Sequence, residues 1–319
     1  MSNALGFTNR LIQLLASSVL GLAISLNTYA EIDRSTLAML ASSLVKVQVT
    51  TRQGGIGMGT GVVIARGKVI TNCHVTKDAE RIQLVQEGIQ WDVTATAPDM
   101  YHDLCLLTVS GLNLPPIKLG SANKLNVGDE VTAAGFAFGG KSHFSQGNVH
   151  ALYAFDNGRV IRTSAPFAPG DSGGALIDSD GQLVGILSFF SGGANSFFAL
   201  PVDWFVERIG DMKAYLPIAP IADMPFWSRP SLAELPHFLQ AANFEARAQW
   251  YNLLALSDGW LRLDPNHPEA WLARGNALKQ MGDSAGATQA HSRAATLYSI
   301  LEQTAAQQLM PRKSITAAR

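Results

Sequence analysis

Between Glu31 and Pro217 the chain is a succession of short β-branched runs, each cut off within a few residues by Gly, Asp or Asn. The clearest are Val45–Thr51, Gly61–Ala65, Lys68–Thr71, Ile82–Val85 and Gln182–Leu187, and residues 33–44 read as a short leading helix. Many short strands separated by turn residues predict an all-β sandwich or barrel. The texture then changes. Pro217, Pro220, Pro225, Pro230 and Pro236 punctuate a stretch, 218–236, that reads as a Pro-rich linker or a strap hugging the domain. Beyond it, residues 237–308 are rich in Ala, Leu, Gln and Arg at helical spacing, and 309–319 read as a flexible tail.

The helical region carries a repeat signal. Trp271, Gly275, Leu278, Gly282, Ala287 and Ala294 fall at the spacings of a tetratricopeptide unit. Leu263-Asp264-Pro265 resembles the end of a preceding unit whose first half is Leu239–Ala255. Plain α-hairpin packing produces the same small residues at helix crossings. Two units fall short of the roughly three needed for independent stability, so the helices are expected to dock on the β region and to offer a surface to a protein partner.

Residues 1–30 read as a signal peptide: one cation, Arg10, then the apolar run Leu11–Leu26, then Asn-Thr-Tyr-Ala with cleavage expected after Ala30. An uncleaved anchor is the alternative, although the run is short against the roughly 20 residues of a span. Either way the rest of the chain is exported, to the periplasm or outside. Lys+Arg total 24 against 25 Asp+Glu, and the net charge of -1 gives no footprint for nucleic acid. Two cysteines are too few for a disulfide scaffold or a Cys-rich metal site. His102 reads as a surface side chain, and His143, His150, His237, His267 and His291 show no ligand spacing, so neither metal nor cofactor is expected.

Three segments carry chemistry. Thr71-Asn72-Cys73-His74-Val75 follows a strand and opens a helical turn. Asp103-Leu104-Cys105-Leu106-Leu107 is a strand beginning with an acid, and Gly170-Asp171-Ser172-Gly173-Gly174 is a glycine-rich turn. His, Asp, Ser is one of the known chain orders of a hydrolytic triad. A serine hydroxyl is a poor nucleophile until an imidazole takes its proton. His74 is the natural base, and a buried Asp103 would hold its tautomer and stabilise the imidazolium. The glycines round Ser172 let the amides of Gly170 and Ser172 receive an oxyanion.

These segments, with Gly59-Thr60-Gly61-Val62-Val63-Ile64, resemble the chymotrypsin-fold (trypsin-like) serine proteases, and most nearly the bacterial Deg/HtrA type. The resemblance implies two six-stranded β-barrels with the triad in the cleft between them, and endopeptidase activity on protein or peptide substrates through an acyl-enzyme. That gives a protease domain at 31–217, the linker at 218–236 and a tetratricopeptide-like domain at 237–308. It departs from the pattern in two places. Asp171 stands where Deg-type enzymes usually carry Asn, without an Ile-Val-Gly-Gly amino terminus to pair with it, and Lys141 or His143 in the loop Gly139–Gln146 is a candidate partner. Helices stand where a PDZ domain is usual. A catalytically idle fold that binds peptides or partners is the alternative function.

The resemblance also implies a specificity pocket. Pro166 would be its floor, and the strand Leu187-Ser188-Phe189-Phe190 its wall, pairing with the substrate backbone. Ser188 would hydrogen-bond Asp103, and the Phe190 ring would shorten the pocket and favour small aliphatic residues before the scissile bond. Cys73 and Cys105 flank the His and Asp segments. Export permits a disulfide between them, and two buried thiols are the alternative reading.

Overall fold

A computed structural model describes residues 34–191, 196–208 and 216–308; the expected signal at 1–30, the loop 192–195 and the tail 309–319 lie outside the described residues. The leading helix is present as α1 (Arg34–Ser42). Six strands follow: β1 (Leu44–Thr51), β2 (Ile56–Ala65), β3 (Lys68–Thr71), β4 (Ala79–Gln86), β5 (Ile89–Asp99) and β6 (Leu104–Val109). They close into an antiparallel barrel in the order β1-β2-β3-β6-β5-β4. A second closed barrel, β10-β11-β12-β9-β8-β7, is built from β7 (Glu130–Gly135), β8 (His143–Phe155), β9 (Gly158–Thr163), β10 (Ala175–Asp178), β11 (Leu183–Ser191) and β12 (Ser196–Pro201).

The two-residue period of the strands fills each barrel. In β1, Val45, Val47 and Val49 are buried and meet Val63, Val69 and Leu84 in the interior of the first barrel. Val131, Val149, Ile161, Leu176 and Val184 do the same in the second. His102 is not at the surface, as its neighbourhood in the sequence suggests, but 2% exposed. Its Nδ1 lies 2.8 Å from Asp99 Oδ2 and its Nε2 2.6 Å from Asp156 Oδ2. Asp156 sits in the turn between β8 and β9, so this imidazole joins the two barrels, and a carboxylate at each nitrogen is what makes its burial tolerable.

Residues 218–236 are a strap rather than a linker. Leu216 bridges Thr96 of β5, Ile221 N–H donates to the Lys77 carbonyl at 2.7 Å, and Phe226 N–H to that of Tyr101 at 3.0 Å. The Phe226 ring is buried among Phe155, Trp204 and Phe238. Four helices succeed it: His237–Ala246, Trp250–Leu263, Pro268–Gln280 and Ser284–Gln308. The stretch 239–255, read as the first half of a repeat unit, is divided between two helices, because the chain turns through Ala248 at φ 53. The helices dock on the second barrel: Phe238 stacks on Tyr153 at 4.7 Å, and Glu269 accepts the Ala154 N–H at 2.9 Å. Among the described residues no helix is long and apolar enough to cross a membrane.

Candidate active site

Asp103 stands immediately before β6 with φ 59, an uncommon conformation for a residue with a side chain. Its own carbonyl is tied down by Asn72 Nδ2 at 3.0 Å and by the Cys73 N–H at 3.3 Å. These bonds draw the short helix Cys73–Thr76 against the start of β6. Cys73 and Cys105 close a disulfide there, with Cα atoms 4.9 Å apart, so the bonded reading of the pair is the one that the structure adopts.

The Asp103 side chain is fully buried. Its Oδ1 accepts the His74 backbone N–H at 2.8 Å, and its Oδ2 faces His74 Nδ1 at 2.7 Å and accepts Ser188 Oγ at 2.7 Å. Both carboxylate oxygens therefore grip the same histidine, one through its backbone and one through its ring. The bond from Ser188 expected from the resemblance is present. Trp227 Nε1, from the strap, also donates to Oδ2 at 3.2 Å. Its ring meets that of His74 edge-on at 5.3 Å and stacks on Phe189 at 4.8 Å.

Ser172 comes from the second barrel, on the turn that leads into β10. The turn is stitched to the first barrel by Thr60, whose N–H donates to the Ser172 carbonyl at 2.8 Å and whose Oγ1 donates to the Gly170 carbonyl at 2.7 Å. Gly170 adopts φ +99, and a Cβ there would stand 2.7 Å from the Phe136 carbonyl oxygen; Gly173, at φ +86, has Thr60 and Thr71 where a Cβ would go. The motif is thus glycine-rich because the turn is both left-handed and wedged between barrels. Asp171 N–H is bonded to the Ala168 carbonyl at 3.0 Å and Phe138 N–H holds the Pro169 carbonyl at 2.7 Å. Among the described residues the amides of Gly170 and Ser172 donate to no protein group. Two unspent N–H groups flank the hydroxyl. Ser172 Oγ itself donates to the Ser188 carbonyl at 3.2 Å, and no hydrogen bond joins it to His74.

Asp171 is buried, and His143 is its partner, Nε2 to Oδ2 at 3.5 Å; Lys141 is not. Burial pushes the carboxyl of Asp171 above the ordinary carboxylate range, against the pull of the Ala168 amide, the His143 charge and the Ala137 amide. The expected pocket residues fare less evenly. The Phe189 ring lies between Phe198 and Trp227. The Phe190 ring is 52% exposed and tilted over Phe197 at 6.5 Å. Pro166 is exposed, and its carbonyl accepts a bond from Ser145 Oγ. A register shift in β11 between Leu187 and Phe189 accompanies this change of side-chain direction. Thr60 and Trp227 are the site residues that sequence reasoning passed over. Thr60 lay inside a motif already noted, whereas an aromatic pair, Phe226-Trp227, inside a Pro-spaced stretch was the available signal for the second. Among the described residues no group of His, Cys, Asp or Glu is placed to hold a metal ion.

Comparison with known proteins agrees with this architecture. Residues 59–186 match the family of the trypsin-like peptidase domain. A "Probable periplasmic serine endoprotease DegP-like" of Pseudomonas putida (strain W619) is 34% identical over 171 residues, which is 49% of this chain and 35% of that protein. The chain thus spans about a third of the length of the curated relatives it matches. Among solved structures, the HtrA-type protease AlgW with a tripeptide superposes with a TM-score of 0.51 at 28% identity, covering 56% of this chain and 62% of that one. The Rv3671c protease of M. tuberculosis shares the fold, with a TM-score of 0.54 at 24% identity over 58% of this chain and 87% of that one. Over residues 59–186 the chain is thus similar to the trypsin-like peptidase domain and to the DegP-like and HtrA-type serine proteases.

Proposed function

We propose that this trypsin-like peptidase domain makes the chain an exported serine endopeptidase in which Ser172 is the nucleophile, His74 the general base and Asp103 its orienting carboxylate. The observation that carries the reading is the fully buried Asp103 holding His74 by two separate nitrogens, with the Ser172 turn presenting two unbonded amides beside it. Ser188 links the halves: its Oγ touches Asp103 and its carbonyl touches Ser172 Oγ.

For attack, the Ser172 hydroxyl leaves the Ser188 carbonyl and turns to His74 Nε2. His74 takes the proton as Oγ bonds to the substrate carbonyl carbon, and Asp103 stabilises the resulting imidazolium. The negative oxygen is received by the Gly170 and Ser172 amides, one such donor being worth roughly 3 kcal/mol of barrier. Collapse expels the amine, which takes the proton from His74 and leaves an acyl-enzyme that water hydrolyses by the same route. The substrate backbone pairs with the 188–190 strand. No acid stands at Pro166 or its neighbours Ala165 and Phe167, so a Lys or Arg side chain entering there would lie unpaired. Small aliphatic residues are the preferred class before the scissile bond, and matched peptides with Val, Phe or Arg rank that preference by kcat/KM. The periplasmic naming of the relatives and the leader-like start of the chain support an exported location. The outer faces of the C-terminal helices are read as a surface for a protein partner.

A second reading, an idle fold that binds peptides, is favoured by the Ser172 hydroxyl being bonded to Ser188 and not to His74. Phosphonofluoridate labelling separates the two. An adduct on Ser172, lost in Ser172→Ala together with peptide cleavage, is the expected outcome; folded protein that takes no label would leave the idle fold.

A further inference from the structure

The triad accounts for His74, Asp103 and Ser172, and Ser188 is the donor that the family resemblance already supplies. Trp227 belongs to neither set. It lies 124 residues after Asp103, on the strap, and its indole N–H reaches the same oxygen, Oδ2, that faces the His74 ring. That oxygen therefore has three polar neighbours, His74 Nδ1, Ser188 Oγ and Trp227 Nε1, in a fully buried position. A buried carboxylate is tolerable only when donors share its charge, and each donor also fixes its rotation. The Trp227 ring is held in turn by stacking on Phe189, which itself stacks on Phe198 at 4.7 Å. The neighbouring Phe226 anchors the strap in the core, with its N–H on the Tyr101 carbonyl two residues before Asp103.

We propose that Trp227 is a positioning residue for His74, acting through Asp103 and delivered by the strap, so that the segment after the second barrel completes the catalytic dyad. The assignment rests on the peptidase reading for its catalytic meaning but not for its geometry. Removing the indole donor leaves more negative charge on Oδ2. The bond to His74 Nδ1 then tightens, the imidazolium is held more firmly, and the base gives up its proton less readily.

Trp227→Phe, made in the full chain, is the discriminating variant, because it keeps a ring on Phe189 and against His74 and removes only the N–H. Two measurements follow. In the Ser172→Ala background, which needs no activity, the low-field proton resonance of the His74–Asp103 bond should move downfield in Trp227→Phe. In the active protein, the acid limb of kcat/KM should shift to higher pH, and kcat should fall about tenfold with KM within about twofold because the carboxylate loses a donor that fixes its rotation. Trp227→Ala should lose more activity than Trp227→Phe, because the ring wall goes as well. An unchanged resonance in Trp227→Phe overturns the proposal whether or not the protein is a peptidase. An unchanged acid limb and kcat in an active enzyme also overturns it. A downfield shift in a protein that takes no label on Ser172 would retain the positioning geometry and sink the peptidase reading instead.

Discussion

The two halves of the site are held by different means. On the first barrel, His74 and Asp103 are braced from several sides: a disulfide one residue before the histidine and two after the aspartate, a strap crossing Tyr101, and an indole on the carboxylate. On the second barrel, Ser172 rides a turn held by two hydrogen bonds from Thr60, by one from Phe138 and by a buried carboxylate facing a half-exposed histidine. In the proposed mechanism the side that keeps two charges aligned is locked, whereas the side that swings a hydroxyl from one acceptor to another is only pinned. Rotating Ser172 Oγ off the Ser188 carbonyl needs no movement of the braced half.

The strap is the brace whose loss should cost most. Phe226 is 1% exposed and packs between the first barrel, the second and the helices. Phe226→Ala should destabilise the protein by about 3–5 kcal/mol, the range for a buried Phe leaving a cavity. It should also release Trp227, so peptidase activity should fall at temperatures where the variant is still folded. Denaturant unfolding beside activity checks both. A cost below about 1 kcal/mol with full activity would make the strap a passenger, and the contrast between the halves would fail there.

The disulfide comes next. It closes a segment 32 residues apart in sequence, for which chain-entropy arguments give roughly 3–4 kcal/mol. Replacing both cysteines by Ala, which leaves no buried hydroxyl, should lower stability by about that amount, and reductant should do the same to the native protein. Equal denaturation midpoints with and without reductant would show that Asn72 and the Asp103 carbonyl suffice to hold the dyad.

What was legible in the sequence was local. The Gly170–Gly174 turn, the helical turn at His74 and the acid before β6 each encode their geometry within a few residues, and these motifs carried the resemblance that implied two barrels. Long-range contacts could not be read. The segment 218–236 could be read as either linker or strap, because nothing in Pro spacing says what Phe226 and Trp227 touch. His102 looked superficial because one of its partners, Asp156, lies 54 residues away. Phe189 and Phe190 were assigned to a pocket wall by family resemblance, and a register shift lies beside them in β11. The helices were expected to dock for lack of repeats. That expectation matched, but the Ala248 turn inside the supposed first unit carried no sequence signal.

The smallest effect belongs to the loosely held half. Asp171 keeps the Ala168 amide at 2.8 Å and faces His143, whose side chain is 40% exposed. Burial raises the carboxyl above its value of 3.8 in an unfolded chain, and the His143 charge is among the factors that restrain the rise. A folded-state value above the unfolded one means that the native protein binds the proton more tightly. The stability this contributes is full below pH 3.8 and is lost as pH rises through the folded-state value. His143→Gln removes the restraining charge, so the rise grows and the loss of stability extends to higher pH. Because His143 is well solvated and carries charge only when protonated, the difference should be small, about 0.5 kcal/mol at most. Melting temperatures of wild type and His143→Gln, followed from pH 3.5 to 7, should converge at the acid end and separate above it. The acid loss of peptidase activity should also set in at higher pH in the variant, since a protonated Asp171 holds the Ala168 amide less firmly beside the Ser172 turn. Melting curves that stay parallel across the range would mean that His143 does not restrain Asp171. The nucleophile turn would then owe its shape to Thr60, Phe138 and its glycines.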